Sequence, residues 1–127
     1  MAAPAVLIAD DDDLLRRLMQ RVLETSGHRV LVVSNGDDAV STLASAPGEI
    51  GVAVLDVLMP PHGALAAMTR MREIRPGVGI VLTSGLPAQQ SVAALVAERR
   101  AVFLQKPFAP EALRRAVRAL LAEQAEA

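Results

Sequence analysis

Five short apolar runs alternate with five stretches of helical periodicity, and this alternation most narrows what the chain can fold into. The runs are Ala5–Ala9, Val30–Val33, 52–55, 80–82 and 102–104. After the first, Leu15, Leu18, Met19, Val22 and Leu23 recur at the spacing of one helix face, with Arg16, Arg17, Gln20, Arg21 and Glu24 opposite. Asp12 or Asp13 suits the helix N-cap, and Gly27 suits a left-handed stop. Asn35-Gly36 turns the chain, and Asp37 and Asp38 open a helix that carries Ala39, Val40 and Leu43 inward. Leu65, Met68, Met71 and Ile74 mark a third helix, and Val92, Leu95 and Val96 a fourth. Leu113, Ala116, Val117, Leu120 and Leu121 mark the last, with residues 122–127 as a loose tail. Strands that read as unbroken apolar runs are buried on both faces, so the alternation predicts a parallel sheet covered by helices on both sides. Residues 1–127 are expected to form one domain, with its core over about 5–121 and no output domain after the last helix.

The chain of 127 residues is 52% apolar, with a net charge of −1. That excludes disorder and offers no strong field for nucleic acid. The two aromatic residues, Phe103 and Phe108, are too few for base stacking. No apolar run is long enough to span a bilayer, and no signal-peptide pattern opens the chain. With no cysteine, thiolate chemistry is absent, and a cytoplasmic location is expected. Twelve arginines stand against a single lysine, Lys106. A compact ammonium serves where a guanidinium fork does not.

In an open parallel sheet, function gathers beyond the carboxyl ends of the strands. Strand one delivers Asp10 and Asp11 there, strand three Asp56, strand four Ser84 and strand five Lys106. Strand two, an edge strand, gives only Ser34 and Asn35. Three carboxylates favour a hard cation, Mg2+ or Mn2+. A lysine and a hydroxyl opposite them suit phosphoryl oxygens, and a carboxylate can itself be the nucleophile. Asp56, alone at the end of a central strand, is the best candidate. Asp12 and Asp13 read as helix caps.

These residues sit in VLIADD, VLDVLMP, LTSG and FLQKPF. Together, in this order, they resemble the receiver domain of two-component response regulators over residues 5–121. The resemblance implies a flavodoxin-like α/β fold, a doubly wound (βα)5 unit with strand order 2-1-3-4-5. It implies Mg2+-dependent phosphoryl transfer from a sensor histidine kinase or histidine phosphotransfer protein to Asp56, with the metal on Asp10, Asp11, Asp56 and the backbone carbonyl of Leu58. Ser84 and Lys106 would contact the phosphoryl group. Ser84 and Phe103 match the family's switch pair, and the Lys106–Pro107 bond is expected cis.

The loop from Asp56 to Gly63 is one residue shorter than is usual in the family, and Pro60-Pro61 stiffens it. The signal would leave through the face of the fourth helix, fifth strand and last helix, where Arg99, Arg100, Arg114, Arg115 and Arg118 offer charge. A homodimer is compatible with this. Such a chain is a self-phosphorylating switch, not a turnover enzyme. Two alternatives stand beside it. One is a degenerate receiver that only binds a partner. The other is a small haloacid-dehalogenase-like phosphatase using Asp10 and Asp12, for which no later acidic pair of aspartates exists.

Overall fold

A computed structural model describes residues 4–59, 63–85 and 101–126. Five parallel strands form one sheet in the order β2-β1-β3-β4-β5. The strands are β1 (Ala5–Ala9), β2 (Val30–Val33), β3 (Ile50–Asp56), β4 (Gly79–Ser84) and β5 (Ala101–Gln105). Four helices are described: α1 (Asp13–Thr25), α2 (Gly36–Ser45), α3 (Gly63–Ile74) and α4 (Pro110–Glu126). Strand alternation sends Leu7, Ala53, Leu55, Ile80 and Leu82 into a core under α2 and α3. It sends Val6, Ile8, Val52, Val54 and Val81 into a second core under α1 and α4. Every residue of β1, β3 and β4 is buried, as two-sided covering requires.

The helix ends follow local chemistry. Asp12 caps α1 by accepting from the Leu15 N–H at 3.1 Å. Gly27, at φ 93°, reverses the chain after α1 in the left-handed region where a Cβ is unwelcome. Asn35 caps α2, accepting from the Asp38 N–H at 2.7 Å and donating to its carboxylate at 3.0 Å. Asn35→Ala removes that cap. The expected loss is about 1 kcal/mol, read as a fall in thermal midpoint of roughly 4 °C.

Several sequence expectations need correction. Leu18, assigned to the buried stripe of α1, is 52% exposed. Met19 and Leu23 are buried, and Leu15 and Val22 pack partly against the same core, so Leu18 falls at the edge of the apolar stripe. In β2, Leu31 and Val32 are exposed despite the apolar run, because nothing pairs with the outer edge of that strand among the described residues. The supposed loose tail continues α4 to Glu126. Within it Gln124 donates to the Gly51 carbonyl at 2.6 Å and accepts from Arg75 at 3.4 Å, which ties that turn to the sheet. The helix expected around Val92, Leu95 and Val96 lies outside the described residues, as do Arg99 and Arg100.

Candidate functional site

The carboxyl ends of β1 and β3 bring Asp10 and Asp56 side by side, as the alternation requires. Asp10 is fully buried, and Asp56 is 8% exposed. The Asp12 N–H donates to Asp10 Oδ1 at 2.9 Å, and the Leu58 N–H reaches Asp56 Oδ1 at 3.4 Å. Lys106 Nζ bridges the pair, 3.3 Å from Asp10 Oδ2 and 3.4 Å from Asp56 Oδ2. The lysine reaches them from the end of β5. Its own N–H donates to the Ser84 carbonyl at 2.7 Å, and its bond to Pro107 is cis. Asp11 projects beside them and is exposed. One carboxylate oxygen from each of Asp10, Asp11 and Asp56 lies within 4.8 Å of the others.

The charge balance is incomplete. Burial pushes the Asp10 carboxyl above its ordinary range, and Asp56 adds to that, while the Asp12 N–H and the Lys106 ammonium pull the other way. Burial wins. One ammonium thus serves two buried carboxylates with a third at the rim. An oxygen-only donor set of this charge fits a hard divalent cation, and the cluster fits a receiver-type Mg2+ site.

Ser84 and Thr83 are both buried at the end of β4, on opposite faces of the strand. Ser84 shares its face with Leu82 and with Phe103, which packs against the α2–α3 core. Thr83 pairs in register with Asp56, and its hydroxyl has no partner among the described residues. Of the two adjacent hydroxyls in LTSG, the resemblance favours Ser84 over Thr83 as the switch residue, because Gly85 then fills the family's small position. Asp12 is spent on the α1 cap and stands outside the cluster, which removes the second carboxylate that the phosphatase alternative needed. Leu58 is exposed beside the pocket. Pro60, Pro61 and His62, in the short loop, lie outside the described residues.

A doubly wound sheet of this order, with an acidic pocket and a lysine at its carboxyl edge, defines a flavodoxin-like signalling domain. The chain belongs to the response regulator receiver domain family, whose model matches residues 6–118. It is 28% identical over 119 residues to the sensor kinase CckA of Brucella abortus (strain 2308), with 94% of the chain matched to 13% of that kinase. It is 31% identical to the response regulator receiver protein CpdR of the same organism, covering 81% of the chain and 84% of CpdR. The crystal structure of a response regulator receiver protein from Sinorhizobium medicae WSM419 superposes with a TM-score of 0.82 at 31% identity, covering 94% of this chain and 95% of that one. The chain therefore spans a small part of CckA and most of CpdR. No helix among the described residues is long and apolar enough to cross a membrane.

Proposed function

We propose that Asp56 is a phosphoacceptor, and that the chain is a switch in two-component signalling which takes its phosphoryl group from a sensor histidine kinase or a histidine phosphotransfer protein. The observation that carries this reading is the single ammonium of Lys106 spanning Asp10 and Asp56 at 3.3 and 3.4 Å. An Asp56 oxygen attacks phosphorus, the P–N bond to the donor imidazole breaks, and the imidazole retains the electron pair and takes up a proton. The product is an aspartyl phosphate. Lys106 exchanges its contact with Asp56 for one with a phosphoryl oxygen, and the Ser84 hydroxyl donates to another. Asp10, Asp11 and Asp56, with the Leu58 carbonyl, would hold Mg2+ (or Mn2+), which neutralises charge building on the phosphoryl oxygens. Asp10 and Asp11 are not phosphorylated.

The consequence is read through Ser84 and Phe103. As the hydroxyl turns toward the phosphoryl group, the ring beside it moves inward and alters the outer face of β5. A downstream protein would read that face together with α4, where Arg114, Arg115 and Arg118 lie. Arg114 and Arg115 are already tethered to Glu111 at 3.5 and 3.6 Å, so a partner's carboxylate competes with Glu111. This reading treats the chain as one receiver unit in the cytoplasm, acting once per phosphorylation rather than by turnover. It leaves room for a homodimer through the same face.

The test is intact mass after incubation with acetyl phosphate. The parent gains one phosphoryl group with Mg2+ and none with EDTA, and Asp56→Asn gains none in either. A parent that stays unmodified with Mg2+ contradicts the proposal and favours the degenerate binding module.

A further inference from the structure

Of the four consecutive aspartates after β1, three are committed to partners and one is not. Asp10 is shared between the Asp12 N–H and Lys106. Asp12 caps α1. Asp13 is paired with Arg16. Asp11 forms no hydrogen bond or ion pair among the described residues, which leaves its carboxylate free to face an added cation.

Arg16 does more than neutralise Asp13. Its Nη1 donates to the main-chain carbonyl of Asp10 at 2.8 Å, while Nη2 holds the Asp13 carboxylate. Its side chain is 16% exposed, against 76% for Asp13, so the fork is pressed into the protein rather than dangling toward a surface partner. The carbonyl it grips belongs to the peptide that joins Asp10 to Asp11. Fixing that peptide plane fixes the direction in which the Asp11 side chain leaves the backbone. It also fixes the turn that presents the Asp12 N–H to Asp10.

We propose that Arg16 is a positioning residue for the acidic cluster. By clamping the Asp10–Asp11 peptide against the start of α1, it holds the two carboxylates at the separation a divalent cation needs. This rests on reading the cluster as a cation site. A guanidinium is required because two acceptors of different kind must be met at once by one rigid fork.

The sign of the effect separates positioning from charge. Removing a cation from the edge of an anionic cluster makes its field more negative, and by Coulomb's law alone Mg2+ would then bind more tightly. Loss of positioning makes it bind more weakly. Mg2+ dissociation constants are measured by isothermal titration calorimetry on the full chain, with thermal unfolding of the metal-free forms alongside. Arg16→Met is expected to weaken Mg2+ binding by about tenfold or more, the usual consequence of losing a group that orients metal ligands. Asp13→Asn leaves the bond to the Asp10 carbonyl in place, and its exposed charge is screened, so it changes affinity by about twofold or less. If Arg16→Met does not fold, Arg16→Lys carries the same expectation, since it keeps the charge and loses the fork.

An Arg16→Met chain that binds Mg2+ as tightly as the parent, or more tightly, overturns the proposal. An equal loss in Asp13→Asn overturns the assignment to the Asp10 carbonyl. A parent that binds no Mg2+ overturns the cation-site reading itself, and this is read on the parent before any variant is compared.

Discussion

Asp10→Asn is expected to make the metal-free chain more stable and, in the same step, to remove most of its response to Mg2+. Asp10 is fully buried, and burial holds its carboxyl above the ordinary 3.8. The folded state thus binds this proton more tightly than the unfolded state does. The stability linked to that proton is fully present below the unfolded value and is lost as pH rises through the folded one. Burial disfavours the charged form of this carboxyl, a cost that the amide does not carry. Asparagine still accepts from the Asp12 N–H, and it leaves Lys106 to Asp56.

The expected gain is about 0.5–2 kcal/mol, the usual size of a gain where a destabilised functional site is relieved, a rise in thermal midpoint of about 2–8 °C. It should be greatest near neutral pH and shrink as pH falls toward the ordinary carboxylate range. Saturating Mg2+ stabilises the parent by mass action, about 2.7 kcal/mol at a hundred times the dissociation constant. That increment should largely vanish in the variant. A lower midpoint than the parent, or an unchanged Mg2+ increment, would show that Asp10 is neither disfavoured by burial nor a ligand.

Gly79→Val should produce the largest loss of stability among these predictions, with no direct effect on the site. Valine is a favoured strand residue, and on propensity alone the change would help. The packing says otherwise. A Cβ at Gly79 would stand 2.9 Å from Leu120 Cβ and 3.2 Å from Val52 Cγ2. Leu120 Cβ is the stem of its side chain and cannot swing aside, so α4 must lift from the sheet. At neighbouring Gly51 the nearest atoms are Leu121 Cδ2 at 2.7 Å and Pro4 Cβ at 2.8 Å, so two glycines form the floor on which α4 lies.

The expected cost is about 3 kcal/mol, a fall in midpoint of roughly 10 °C. Gly79 begins β4 and Ser84 ends it, so the carboxylate cluster lies at the far end of the strand. The Mg2+ increment should therefore persist in whatever fraction remains folded. A variant melting with the parent would mean that α4 does not rest on these glycines.

The fold and the centre of the site were legible because each depends on a strong, local signal. Two-sided burial writes β1, β3 and β4 as unbroken apolar runs, and a polarity switch marks where each strand delivers its side chain. Asp10, Asp56 and Lys106 could be found from that alone, and the structure brings all three within salt-bridge distance. What escaped depends on the third dimension. Leu18 is exposed although it shares the apolar stripe of α1, because which edge of a stripe meets the core is set by packing and not by periodicity. The ordering of the chain beyond residue 121 follows from Gln124 and Arg75, distant in sequence and joined only in the fold. Arg16 read as one member of a solvated basic face. Its bond to a main-chain carbonyl six residues earlier leaves no trace in composition or spacing. The use of Gly79 as a floor for α4 depends on Leu120, which only the fold brings beside it.

The central claim is that the phosphoryl group resides on Asp56 and nowhere else in the cluster. The most direct measurement is chemical. The chain is phosphorylated with acetyl phosphate and Mg2+, reduced with borohydride to convert an aspartyl phosphate to homoserine, digested, and read by peptide mass. Homoserine at position 56, only in the phosphorylated and reduced parent, is the predicted result. Homoserine at position 10 or 11, or none at all in a chain that had gained a phosphoryl group, would contradict it.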